Sequence, residues 1–206
     1  MALSRRAFLA CLGAGAGAAL GGLFRSAGGL RREPPLLRPP GALDEPDFLA
    51  ACTRCGQCVE VCPFDTLKLA GPGQGVAAGT PFFNPEEVPC ELCEGYDDLK
   101  CITICPTGAL QPVKQRADIR IGTAVVNEET CFAFNGVSCR SCWHKCPFTD
   151  RGAITFDDLL RPVISEEACV GCGICTLACP TEPTSIPVRP RSWPDVLRRG
   201  DASTES

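Results

Sequence analysis

The chain is apolar at its start, proline-rich next, and then polar and apolar in short alternating patches. Ala7 to Phe24 runs 18 residues without a charge and holds five glycines. Nothing in it has the 3.6-residue period of an amphipathic helix. It is long enough to span a bilayer if retained, yet only mildly hydrophobic, which suits an export leader. The alternative is an N-terminal helix of the domain itself. Arg31 to Asp47 holds five prolines in 17 residues, a composition expected to forbid a packed helix or central strand and to act as a spacer. From Cys52 onward the apolar positions come in β-like runs: Thr66–Leu69, Ile119–Val126, Ala153–Phe156 and Ile186–Val188, the last weakened by Pro187. Short turns of helix are expected around the cysteines between them. The fold class expected is α+β, of short strands and short helices.

The same region repeats. First cysteines fall at 52, 90, 131 and 169, and each unit closes on Cys-Pro, at Cys62, Cys105, Cys146 and Cys179. The first unit is Cys52, Cys55, Cys58, Cys62 and the fourth is Cys169, Cys172, Cys175, Cys179. Both have the spacing of the bacterial ferredoxin run for a [4Fe–4S] cluster. Three thiolates two residues apart let one tight loop reach three corners of a cube, and the fourth ligates the neighbouring cluster. Gly56, Gly171 and Gly173 allow the backbone close to the inorganic sulfides. The middle units each carry one widened gap: Cys90, Cys93, Cys101, Cys105 and Cys131, Cys139, Cys142, Cys146. Sixteen ligands imply four [4Fe–4S] clusters organising two ferredoxin-like modules.

Composition agrees with a metal-organised fold. The chain has 17 cysteines in 206 residues, one histidine, 6 % aromatics, 21 glycines and 19 prolines. Roughly 160 residues remain beyond leader and spacer, a thin-cored length that calls for staples. Zinc would use CxxC pairs but does not call for a third cysteine two residues on. Disulfides suit an exported protein. However, Ser4-Arg5-Arg6-Ala7-Phe8-Leu9 resembles the twin-arginine export signal, a route for proteins already folded and loaded with cofactor. Ala16-Gly17-Ala18 is a candidate cleavage site, and both a cleaved and a retained leader are open. Cys11, inside the leader, reads as a small apolar filler.

The formal charge of −4 gives no footprint for nucleic acid. Thiolate-held clusters add more negative charge, so a partner needs a complementary surface or apolar docking. No dinucleotide fingerprint, Ser/His/Asp arrangement or flavin motif occurs, and the chain is not expected to be an enzyme alone. Trp143 reads as a shield for a cluster. His144 reads as an exposed loop side chain or as a tuning group. Arg189, Arg191, Arg198 and Arg199 form a basic tail, solvated or turned toward lipid or a partner.

The Arg-Arg leader, the order of gaps, and the phrases CPTGAL, CFAFNGVSCRSCWHKCP and CGICTLACPTE together resemble the NapG/MauM ferredoxin family over essentially Ser4 to Pro190. The resemblance implies a periplasmic four-cluster ferredoxin. One branch of the family partners an integral-membrane ferredoxin, NapH, in a quinol dehydrogenase. That complex feeds a c-type cytochrome and a periplasmic nitrate reductase. The other branch belongs to methylamine utilisation, in electron transfer or maturation. A β-like subunit of a molybdenum oxidoreductase is a further alternative. The expected layout is a leader at 1–24, a Pro/Arg-rich linker at 25–47, the four-cluster region at 48–190 and a tail at 191–206. The spacers between units, 27, 25 and 22 residues, do not decide which units pair. Regular outer runs, and partial resemblance to four-cluster molybdenum-oxidoreductase subunits, favour nesting. Nesting groups Cys52, Cys55, Cys58 with Cys179, and Cys169, Cys172, Cys175 with Cys62. It also groups Cys90, Cys93, Cys101 with Cys146, and Cys131, Cys139, Cys142 with Cys105.

Overall fold

The computed structural model describes residues 35–191. The leader, Arg5, Arg6, Cys11, the first part of the linker, Arg198 and Arg199 lie outside the described residues. No helix among the described residues is long and apolar enough to cross a membrane.

Among the described residues five short α-helices punctuate the chain: α1 (Glu45–Ala51), α2 (Gln57–Glu60), α3 (Lys100–Ile104), α4 (Ser141–Lys145) and α5 (Ile174–Leu177). All but α1 hold a cysteine, and each ends within about one turn because the unit closes on Cys-Pro, where proline cannot supply the next helical N–H. Six strands of the described residues pair as three two-stranded antiparallel ribbons. These join β1 (Lys68–Leu69) to β2 (Pro81–Phe82), β3 (Gly122–Ala124) to β6 (Val188–Pro190), and β4 (Ile154–Phe156) to β5 (Pro162–Ile164). Registers are short, with Thr123 opposite Arg189 and Thr155 opposite Val163. The first three expected strand runs thus appear, trimmed to two or three residues, while the fourth, Ile186–Val188, is displaced to Val188–Pro190. Arg189 belongs to β6, and the Arg191 N–H donates to Ile121 O at 3.2 Å, so neither lies in a free tail.

The chain folds as two similar halves. α2 packs on α3, and α4 on α5. In the second half, β3 enters before the third unit and β6 returns after the fourth. In the first half the equivalent pairing is the bridge between Ala42 and Leu110, before the first unit and after the second. The Leu43 N–H donates to Ala109 O at 3.2 Å beside it.

That bridge corrects the reading of residues 35–47 as a spacer. Leu37 bridges Phe83, and Pro39 and Pro40 are fully buried. Arg38 is 7 % exposed, donates to Thr80 Oγ1 and to Pro81 O, pairs with Glu45, and stacks over Phe48. The prolines that argue against helix serve here as apolar, pre-extended chain with few N–H groups to satisfy. Glu45–Ala51 is helical despite Pro46, which falls in the first turn where an N–H has no intrahelical partner anyway.

Candidate metal centres

Each cysteine loop bends inward through left-handed residues. The second residue of the CxxC gap has positive φ at Arg54 (58°), Leu92 (52°) and Gly171 (76°). Gly56 and Gly173, after the second cysteine, lie at 75° and 81° and lead into α2 and α5. Such turns aim successive backbone N–H groups into a concavity suited to anionic sulfur. The N–H two residues beyond a cysteine bonds back to its sulfur repeatedly, from Leu92 to Cys90, Phe148 to Cys146 and Ile174 to Cys172.

The sixteen predicted ligands converge as four quartets, each around an apolar cavity of 350–370 Å³ counted with its mouth. The first is Cys52, Cys55, Cys58 and Cys105, roofed by Phe48 and Leu110. The second is Cys62, Cys90, Cys93 and Cys101, walled by Pro40, Leu67, Leu92 and Leu99. The third is Cys146, Cys169, Cys172 and Cys175, against Phe148, Ile154, Val170 and Val188. The fourth is Cys131, Cys139, Cys142 and Cys179, beside Val126, Phe132 and Ile186.

This grouping corrects the nested expectation. Cys105, not Cys179, joins Cys52, Cys55 and Cys58. Cys62 joins Cys90, Cys93 and Cys101, Cys146 joins Cys169, Cys172 and Cys175, and Cys179 joins Cys131, Cys139 and Cys142. The cause is local. The fourth cysteine follows the third by four residues, so it lies one turn further along and faces whichever helix packs alongside. That neighbour is α3 for α2 and α5 for α4. Adjacent units therefore exchange their fourth cysteines.

The quartets also lie in a row. The first and second share the α2–α3 pair, and the third and fourth share α4–α5. The two halves meet at the second and third quartets. There the Cys90 N–H donates to Cys172 O at 2.8 Å, and a Cβ on Gly173 would fall 2.2 Å from Pro85 Cβ.

Cys58, Cys90, Cys93, Cys101, Cys172 and Cys175 are buried, and the neighbouring sulfurs repel one another's charged forms. Burial first, then the neighbouring sulfurs Cys52 and Cys55, push Cys58 up to about 11. Burial raises Cys101 and Cys172 to about 12 and Cys142 to about 11. It raises Cys90 and Cys175 further still. Cys105 and Cys179 go the other way: burial opposes, but hydrogen bonds from nearby backbone N–H groups and from Thr107 and Thr181 together outweigh it. Dry, crowded thiols of this kind call for a compensating positive centre. Among the described residues no three His, Cys, Asp or Glu groups are placed to hold one metal ion. Four soft thiolate donors around an apolar, N–H-lined space of this size fit a polynuclear iron–sulfur group.

His144 is exposed on α4, its ring edge-on to Trp143 at 5.1 Å. Trp143 is half-buried and leans on Phe156 at 6.1 Å. Sequence reasoning missed Phe48, Arg38 and the hydroxyls Thr107, Thr181 and Ser185. The recurrence of Cys-Pro-Thr at residues 105–107 and 179–181 was the available signal for the threonines.

Comparison with known proteins agrees with this geometry. Residues 51–109 match the 4Fe-4S dicluster domain, a span holding the first two units together, and residues 160–181 match a 4Fe-4S binding domain. The ferredoxin-type protein NapG of Escherichia coli K12 is 44 % identical over 168 residues, covering 76 % of this chain and 71 % of the relative. The methylamine utilization ferredoxin-type protein MauM of Paracoccus denitrificans is 41 % identical over 198 residues, 91 % of this chain and 84 % of the relative. The ferredoxin-type protein NapF of Escherichia coli K12 is 31 % identical over 148 residues, 70 % of this chain and 80 % of the relative.

Proposed function

The chain belongs to the NapG/MauM family of ferredoxin-type iron–sulfur proteins, and on that footing we propose that it holds four [4Fe–4S] clusters in a row and relays single electrons along them. The observation that carries this is the Cys90–Cys172 hydrogen bond of 2.8 Å, which sets a ligand of the second quartet against a ligand of the third and makes the row continuous. A cluster held by four thiolates takes up or releases one electron at a time. The chain supplies the sixteen sulfurs, the N–H groups that donate to them, and the apolar walls that keep water out.

The donor proposed is a membrane quinol-oxidising partner of the NapH type, and the acceptor a c-type cytochrome or reductase in the periplasm. The relative named for methylamine utilization supports a second acceptor, an enzyme being matured in that process. Both roles use the same relay. Export loaded and folded through the twin-arginine route is proposed from Arg5 and Arg6.

The test is anaerobic purification of the full chain with iron and sulfide counting. About sixteen iron atoms are expected, four per cubane. Colourless protein with stoichiometric zinc would overturn the reading. For export, Arg5→Lys with Arg6→Lys should strand loaded protein in the cytoplasm; arrival of that variant in the periplasm would refute the route.

A further inference from the structure

The widened gap of each middle unit is pinned by one side chain. In the third unit Asn135 Nδ2 donates to Glu129 O and to Cys131 O, both at 2.9 Å. In the second unit the clamp is charged. Arg116 lies half-buried on the short turn Arg116–Asp118 that follows the unit. Its Nε donates to Leu92 O at 2.8 Å, and its Nη2 donates to Cys93 O at 3.2 Å and to Tyr96 O. The carbonyls of the ligand Cys93, of the residue before it and of one within its widened gap thus share a single guanidinium. The backbone there needs holding. The regular units place Gly56 and Gly173 in the left-handed region after the second cysteine. This unit instead puts Leu92 and Cys93 there, both at φ of 52°, and Cys93 alone among the sixteen ligands has positive φ. Two successive residues with side chains persist in that region only where their surroundings fix them.

We propose that Arg116, clamped on the carbonyl of the ligand Cys93, holds a positive charge against the second quartet and raises the reduction potential of the cluster there. The inference rests on the relay reading. The charge is not neutralised by a partner: no carboxylate among the described residues forms an ion pair with Arg116, although Asp97 and Asp98 line the same cleft. The walls of the second cavity are otherwise apolar apart from Thr66 and Glu91. A half-buried charge is screened by salt less than an exposed one. Adding one electron makes the cluster more negative, with no bond made or broken. A fixed positive charge beside it favours that form and raises the potential. Asn135 pins the other widened gap without a charge and gives its quartet no such shift. Arg116 touches no sulfur, and Cys62, Cys90, Cys93 and Cys101 all remain without it. It is a positioning residue, acting through Cys93, that tunes the site rather than completing it.

The experiment is a dithionite titration of the anaerobic, cluster-loaded full chain, followed by electron paramagnetic resonance. Cys101→Ser, which replaces a ligand of the second quartet, marks the signal that belongs to it. Arg116→Gln removes the charge and keeps an N–H donor; it should lower the midpoint of that signal and leave the others in place. Arg116→Lys keeps the charge and should hold the midpoint near that of the wild type. Asn135→Ala slackens a loop without moving a charge and should shift no midpoint. Wild-type midpoints in loaded Arg116→Gln, a shift confined to a signal that Cys101→Ser leaves intact, or Arg116→Lys falling as far as Arg116→Gln would overturn the proposal. A drop as large in Asn135→Ala would trace the effect to loop slack and overturn it too. Should Arg116→Gln come out about four iron atoms short, one cubane, Arg116→Lys decides: full iron with an unmoved midpoint supports the charge, and the same deficit refutes it. Wild-type protein without iron and sulfide would instead sink the relay reading beneath it.

Discussion

The backbone N–H of Cys90 donates to the carbonyl oxygen of Cys172 at 2.8 Å, and with it the two halves of the protein touch at their cysteines. Close contact there needs residues without side chains. Gly171, with φ of 76°, packs within its own half, where a Cβ would fall 2.4 Å from Gly122 N. On Gly173, at 81°, it would meet Pro85. Gly173→Ala is therefore expected to part the halves and to cost about 2 kcal/mol or more, combining overpacking with a left-handed backbone. Gly75→Ala, also at positive φ but in open space, carries only the backbone cost. Thermal release of iron, followed by loss of visible absorbance, should separate the two.

Adjacent exchange of fourth cysteines makes each half self-sufficient in ligands. A fragment of residues 35–113 is expected to bind two clusters when expressed in a reducing cytoplasm. A fragment of residues 79–165 joins the second and third units without their exchange partners and is expected to hold none stably. Iron counts in the reverse order would restore the nested arrangement.

Arg38 ties the segment before the first unit to the body of its half. Its guanidinium bonds Glu45, Thr80 Oγ1 and Pro81 O, and it covers Phe48, which roofs the first cavity. Arg38→Ala strips the buried partner from a half-buried ion pair and leaves Thr80 Oγ1 and Pro81 O without their donor, and should destabilise by about 3 kcal/mol. Arg38→Lys should rescue only in part, because a point charge cannot fork between these acceptors. Denaturant midpoints of the loaded protein measure both, and the first quartet should be the first to lose iron.

The ligands were legible from spacing alone, because a loop that reaches three corners of a cube tolerates few gaps. Their pairing was not. Near-equal spacers leave adjacent and nested exchange equally reachable, and the choice is made by which short helices pack, a tertiary matter. Residues 35–47 misled for a related reason. Proline marks chain that avoids regular pairing, yet Pro39 and Pro40 show that such chain can be core when its few N–H groups find partners. Strand positions are visible in Thr66–Leu69 and Ala153–Phe156, while of the hydroxyls near Cys179 only Thr181 carries a signal, the recurring Cys-Pro-Thr.

Iron removal exposes the cost of burying bare thiols. Cys58 and Cys142 rise to about 11, and Cys101 and Cys172 to about 12, from an ordinary 9.0. A raised pKa stabilises the iron-free fold below the ordinary value, and that contribution disappears as pH climbs through the folded one. The chelated, reduced protein should thus lose structure between about pH 9 and pH 12, read by circular dichroism at fixed denaturant. Loading should release protons, because the bound sulfurs are thiolates. A flat alkaline profile would contradict the burial assigned to these four cysteines.

The exchange of fourth cysteines also bears on how such a protein is built. Cys62 leaves the loop of one quartet to complete the next, and Cys105 returns the favour. Losing either metal group frees an end of the helix that anchors the other. Assembly within a half is then cooperative, with empty and full states favoured and half-filled ones short-lived. A cell short of iron would hold fewer finished halves rather than many damaged ones.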